Sequence, residues 1–194
     1  MKIANLVLVA VLALPALAAA QAAEFKGAVQ IGRELGERLL KRPRFDMNRY
    51  FVWMEGEDSG SLLMLLGVTV PAGSGTQFIN GKPNAINMLL WNHLFFGISR
   101  DIGNSCFADT GMEWNPGFRK ALDGICQWPA PVAQDPKVME EFWLALMSYD
   151  APKDEFEAWR DFFLNSSFKN RPAQETVPAM VVAALYNPHF LLRK

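Results

Sequence analysis

Apolar residues along this chain fall most regularly between positions 84 and 103. Met88, Trp91, Phe95, Ile98 and Ile102 recur at spacings of three and four, which places them on one stripe of a helix. Leu89 and Phe96 face nearly the opposite way and Leu90 lies between, so the helix is apolar on most sides. A helix of that kind packs against several neighbours, and the pattern predicts a central one. Asn84 caps it, and Gly103 followed by Asn104 ends it.

The pattern on either side is also helical. Ala28, Ile31, Leu35 and Leu39 form a stripe over residues 24–42, with Lys41 and Arg42 suiting the negative end of the helix dipole and Pro43 stopping it. Asn115-Pro116 and Asp135-Pro136 each join a capping residue to proline at the first helical position. The first pair opens a helix to about Gln127, the second a helix through residues 138–147. After Asp150, Phe156, Trp159 and Phe163 form the next stripe, with Glu155, Glu157, Arg160 and Asp161 toward water. A last helix spans about 173–186. Pro178 lies inside it, so it either starts late near Thr176 or kinks. Asn187-Pro188 ends it and leaves Phe190, Leu191 and Leu192 as a docked tail.

Residues 50–70 are less decided. Tyr50 to Met54 is a short aromatic run, Ser61 stands before an apolar run through Leu66, and Val68-Thr69-Val70 has strand character. Residues 70–83 form a loop by composition. No linker or internal repeat interrupts the chain. The expected fold is mainly α: one helical bundle of about six helices over residues 23–194, with one disulfide and room for a short strand pair near 50–70.

Residues 1–22 stand apart. Lys2 precedes an unbroken apolar run over 6–14 that ends at Pro15, and the small residues that follow fit the A-x-A pattern read by signal peptidase. Cleavage after Ala20 or Ala22 is expected. The run falls short of the roughly 20 apolar residues that span a bilayer. The expected location is therefore periplasmic or secreted, with no membrane span after the signal is removed.

Charge adds an exclusion. Nineteen basic residues stand against 20 acidic ones, and losing Lys2 with the leader takes the balance from −1 to −2. A nearly neutral chain does not suit nucleic acid as a partner. Six Trp, 14 Phe and nine Met supply a large apolar payload, most of it for the core.

The two cysteines, Cys106 and Cys126, belong in an oxidising compartment to one structural disulfide. Closing a loop of that length contributes about 3 kcal/mol in the chain-entropy model. Redox pairs favour C-x-x-C spacing, which is absent. If the two helices flanking the loop pack antiparallel, Asp109-Thr110-Gly111 allows the chain to turn back between them.

Other motifs carry little chemistry. Glu57-Asp58-Ser59-Gly60-Ser61 has the look of a chymotrypsin-like nucleophile segment, yet no histidine precedes Ser59. Gly73-Ser74-Gly75 and Gly81-Lys82 miss the phosphate-loop spacing, and Pro83 stands where a hydroxyl residue is needed. The two histidines, His93 and His189, lack the spacing of a c-type haem or zinc site, so no cofactor and no metal is expected. His93 lies seven residues before Arg100, two turns along the same side of the central helix. That pair is the candidate buried polar or ligand contact. Glu140 with Glu141 and Asp154 with Glu155 read as solvated faces, and no catalytic residue is nominated.

The ending Ala183-Ala184-Leu185-Tyr186-Asn187-Pro188-His189-Phe190-Leu191-Leu192-Arg193 resembles the A-x-L-x-S-P-x-F-L-x-R ending of helical domains in large secreted, cytochrome-associated proteins common in planctomycetes. Asn187 replaces the usual Ser, and the cytochrome motif is missing. The resemblance implies a shared helical ending in exported proteins and transfers no catalytic residue. The function expected is a non-enzymatic accessory or binding protein of the envelope, its partner an envelope protein or an apolar small ligand. The alternatives are a small secreted enzyme and a carrier of an apolar ligand.

Overall fold

A computed structural model describes residues 28–41, 85–147 and 152–191 of this chain. Six helices of ten residues or more lie within them: α1 (Ala28–Leu39), α2 (Ala85–Asn104), α3 (Pro116–Ile125), α4 (Pro136–Leu146), α5 (Lys153–Asn165) and α6 (Ala173–Leu185). A 3-10 turn (Ser167–Asn170) separates α5 from α6, and a single-turn helix, α7 (Pro188–Leu191), follows α6. No strand occurs among the described residues, only an isolated antiparallel bridge between Leu40 and Trp114. The fold is mainly helical, as the periodicity predicts. The strand pair considered near 50–70 lies outside the described residues, as does the leader.

The helix starts follow from their caps. Asn115 Oδ1 accepts from the Gly117 backbone N–H at 2.9 Å, and Asp135 Oδ1 accepts from Lys137 at 2.8 Å. Each satisfies one donor that a helix start leaves orphaned, while the proline at the first position has no N–H to satisfy. α5 begins at Lys153 after Pro152, with no side-chain cap but with Asp154 and Glu155 in its first turn to complement the dipole. Asp150 lies outside the described residues.

α1 ends at Leu39, short of the expected Arg42. The residues beyond it are taken by a strap: Asn115 N–H donates to the Leu39 carbonyl and Lys41 N–H to the Glu113 carbonyl, each at 2.8 Å. α6 begins at Ala173 and runs through Pro178 rather than starting near Thr176. Proline has no N–H for the Gln174 carbonyl four residues back, and Gln174 is an exposed residue of the first turn.

α2 ends at Asn104, as the Gly103-Asn104 pair predicts, with Gly103 still in its last turn and buried under Pro178. A Cβ built there would stand 2.5 Å from Pro178 Cγ and 2.9 Å from Cδ. Close approach of α6, not a left-handed cap, is what this glycine permits. The positive φ falls instead at Gly111 (+68°), within the expected turn, where its N–H donates to Asp109 Oδ1 at 2.9 Å.

Among the described elements α2 and α6 form the most extensive helix pair. Trp91, Phe95, Ile98 and Ile102 of the predicted stripe are buried, together with Leu94. Phe96, on the opposite side, is 43% exposed, so α2 is not enclosed all round. Among the described elements the central position belongs to α4, which packs against α1, α3, α5 and α6. Met139, Phe142, Trp143 and Leu146 are essentially inaccessible. The α4–α5 seam is aromatic: Trp143 lies 5.1 Å from Trp159, and Trp159 lies 5.3 Å from Phe163. Of the expected docked tail, Phe190 and Leu191 are buried against the core, and Leu192 lies outside the described residues.

Candidate functional site

Cys106 and Cys126 form the expected disulfide, with Cα atoms 5.2 Å apart. Cys106 lies just past the end of α2, and Cys126 immediately follows α3. α3 packs along α4 rather than along α2, so the bond joins two helix ends instead of stapling an antiparallel pair.

Of the other nominated residues, only the side chain of Arg100 falls within the description. Arg100 is exposed on α2, and nothing is described of the side chains of His93 and His189. The inward polar position is the next one along. Asp101 is only 6% exposed, and Ser105 one turn later is 4% exposed. Both lie on the apolar stripe, three and seven residues beyond Ile98, and that spacing is the signal which marks them.

Ser105 is the hub of a polar cluster. Its hydroxyl lies 2.8 Å from the Asp101 carbonyl, 2.8 Å from Thr110 Oγ1 and 3.0 Å from Trp114 Nε1. An indole N–H only donates, and a carbonyl only accepts. The single serine proton therefore goes to Asp101, and Thr110 and Trp114 both donate to Ser105. Arg119 Nη1 donates to the Ser105 carbonyl at 3.2 Å, while Arg119 Nη2 pairs with Asp123 at 2.7 Å. A hydroxyl with its proton and two further contacts so committed holds the chain after α2 onto the chain before α3. It is not arranged as a nucleophile with a base beside it.

A second node ties two further loops. The Phe168 carbonyl accepts from Trp128 Nε1 at 3.0 Å and from the Thr176 hydroxyl at 3.4 Å. Gln134 Nε2 donates to the Pro129 carbonyl at 2.9 Å and to the Lys169 carbonyl at 3.1 Å. The α3–α4 connection is thereby fastened to the α5–α6 connection. Glu155, expected on a solvated face, is half-buried and accepts from Asn187 Nδ2 at 3.0 Å. Glu140, Glu141 and Asp154 are exposed, as read from the sequence.

Two buried polar atoms have no hydrogen-bond partner among the described residues: Trp143 Nε1 and the Tyr186 hydroxyl oxygen. Desolvation holds the Tyr186 phenol well above its ordinary value of 10.0. Its ring meets Phe95 edge-on at 5.1 Å, so it serves as a packing aromatic between α2 and α6. Among the described residues no grouping of three or more His, Cys, Asp or Glu is placed to hold a metal ion. No described helix is long and apolar enough to cross a membrane. The segments 57–61 and 73–83 weighed above lie outside the described residues. Comparison with protein-family models, with curated proteins and with solved structures finds no match to this chain.

Proposed function

We propose that this chain is exported and acts in the periplasm or outside the cell as a disulfide-bonded helical accessory or binding protein. The observation that carries the reading is the Cys106–Cys126 bond, because such bonds persist in oxidising compartments and are rare in reducing ones. The leader-like residues 1–22 support the same direction. So does the C-terminal resemblance to exported helical domains, in which Asn187 takes the place of a serine. Its backbone carbonyl accepts from the Phe190 and Leu191 N–H groups at the start of α7, contacts that a serine at this position would make as well.

Support for binding over catalysis comes from how the buried polar groups are spent. The Ser105 and Thr176 hydroxyls each bond a backbone carbonyl that fixes a loop, and Ser99 donates to the Phe96 carbonyl at 2.9 Å. Cell fractionation and mass spectrometry of protein from the native host test the export half directly. The expected mature N-terminus is Gln21 or Ala23, with the bond formed. A cytoplasmic protein that keeps Met1 and carries two free thiols would refute it.

A further inference from the structure

The disulfide closes a loop of 20-residue separation, and within that loop lies the strap that holds the end of α1. Residues 113–115 face residues 39–41 through two backbone hydrogen bonds of 2.8 Å and the Leu40–Trp114 bridge. Trp114 is the joint of the device. Its backbone belongs to the bridge, its ring lies 5.2 Å from Phe118 of α3, and its indole N–H donates to Ser105 beside Cys106. α1 has other holds: Ile31, Leu35 and Leu39 are fully buried, it packs on α2 and α4, and Arg38 Nη1 donates to the Leu144 carbonyl at 3.3 Å. Its C-terminal end, however, is placed by the strap, which is held by Ser105 at the end of α2 and by the start of α3, the helix whose far end carries Cys126.

We infer that the Cys106–Cys126 bond is a redox-operated latch on α1. Closed, it keeps the ends of α2 and α3 together and the strap in register with residues 39–41. Opened, it frees the strap from one of its two anchors, and α1 loosens from α2 and α4, uncovering Ile31, Leu35 and Leu39. Both cysteines are half-buried rather than sealed in the core, so a small dithiol reaches them. The step balances as thiol–disulfide exchange. A reductant thiolate attacks one sulfur and forms a mixed disulfide, and its second thiol resolves that intermediate. Two electrons and two protons pass to the protein, which gains two thiols, while the reductant becomes a disulfide. The α5–α6 half should stay closed, because it is held by the aromatic seam to α4, by the Phe168 node to the α3–α4 connection and by the packing of α6 on α2, and no residue of the strap takes part in the seam or the node.

The latch does not depend on where the protein resides, since the bond acts in purified protein. Hydrogen exchange read by mass spectrometry on the full chain, oxidised and then reduced with dithiothreitol, tests it. Reduction is expected to speed exchange in residues 31–41 and 111–115 by about 100-fold, on the scale of the loop-closure term. Segments 156–165 and 177–185 should change far less. Unchanged protection in 31–41 overturns the inference, and so does equal loss in both regions, which would make the bond a global staple. Lys41→Pro gives an independent arm, because it removes the exposed residue's N–H to Glu113 and leaves the disulfide intact. Faster exchange of α1 in that oxidised variant is expected. Exchange at the parent rate would overturn the inference, since the strap would then not be what holds α1.

Discussion

Gly103→Ala adds one methyl group to the chain, and the structure fixes where it must go. The new Cβ would stand 2.5 Å from Pro178 Cγ and 2.9 Å from Cδ, whereas carbon atoms pack at about 3.5–4.0 Å. The proline ring cannot rotate away as a flexible side chain would. Relief therefore requires α6 to move back by roughly 1 Å from α2, a distance set by the same packing minimum. That displacement falls on the most extensive helix pair and on the Phe95–Tyr186 and Phe95–Phe190 edge contacts at 5.1 and 6.2 Å. Overpacking of this kind costs about 1–3 kcal/mol. Against it stands the helix propensity of alanine over glycine, at most about 1 kcal/mol and less in a last turn. The net expectation is a loss of about 1–2 kcal/mol, read as a lower midpoint in guanidinium denaturation with unchanged slope.

A double-mutant cycle isolates the cause. Pro178→Ala removes the ring that the methyl would meet, so adding Gly103→Ala in that background leaves the propensity term alone. The effect of Gly103→Ala should then change sign, from destabilising to neutral or mildly stabilising. The coupling between the two sites should come to about 1–3 kcal/mol. If Gly103→Ala is as stable as the parent, or its cost survives in the Pro178→Ala background, the close-approach account of this glycine is wrong.

Replacing Cys106 and Cys126 together by Ser should cost about 2–5 kcal/mol in chemical denaturation, and thiol titration of the denatured, unreduced parent should find no free thiol. Trp143→Phe and Trp159→Phe should differ although both shrink a core aromatic. The Trp159 indole donates to the Met180 carbonyl at 3.2 Å, while Trp143 Nε1 is buried without a partner, so Trp143→Phe should be the milder by about 1 kcal/mol in the same assay. Tyr186 predicts an alkaline loss of stability. Its folded phenol stays protonated above the ordinary value of 10.0, so from about pH 10 upward the unfolded state releases a proton that the folded state keeps. Stability should fall with rising pH there, and Tyr186→Phe should flatten that part of the curve. An equal slope in the variant would count against the assignment.

The helices were legible because their signals are local. Asn115-Pro116 and Asp135-Pro136 state a helix start within two residues, and the caps form as those residues require. The end of α1 and the passage of α6 through Pro178 are less legible because non-local partners decide them. The strap that stops α1 comes from residues 113–115, more than 70 positions along the chain. The proline that looked like a start or kink in α6 is accommodated where Gly103 of α2 leaves room for it. Neither partner can be read from the periodicity of a single segment. Among the described elements α2 is not the helix with the most neighbours, for a related reason. Apolar content on many sides shows that a helix has much to bury, but how many neighbours surround it depends on how the others stack. Among the described elements α4, with a shorter and less conspicuous stripe, holds that position.

The polar site shows the same division between phase and partner. Cys106 and Cys126 were legible as a pair because two cysteines in an oxidising compartment allow only one intramolecular bond. Arg100 was nominated by its alignment with His93, but alignment of two polar residues fixes only their relation to each other. What fixes inside and outside is their angle to the apolar stripe. At about 100° per residue, Arg100 stands some 200° from Ile98, whereas Asp101 stands about 60° away and Ser105 about 20°. The phase alone therefore sends Arg100 to solvent and turns Asp101 and Ser105 inward, as observed. What phase cannot supply is the partner that makes an inward hydroxyl tolerable. For Ser105 the partners are Thr110 and Trp114, brought back by a turn that needs Gly111 at positive φ, together with the Asp101 carbonyl one turn below. A buried serine with all three contacts filled stabilises the loop, and the same serine with any one missing would cost about 1–3 kcal/mol as an unsatisfied group. The polar residues on the stripe are thus tied to the turn that satisfies them, and that turn carries the strap to the end of α1.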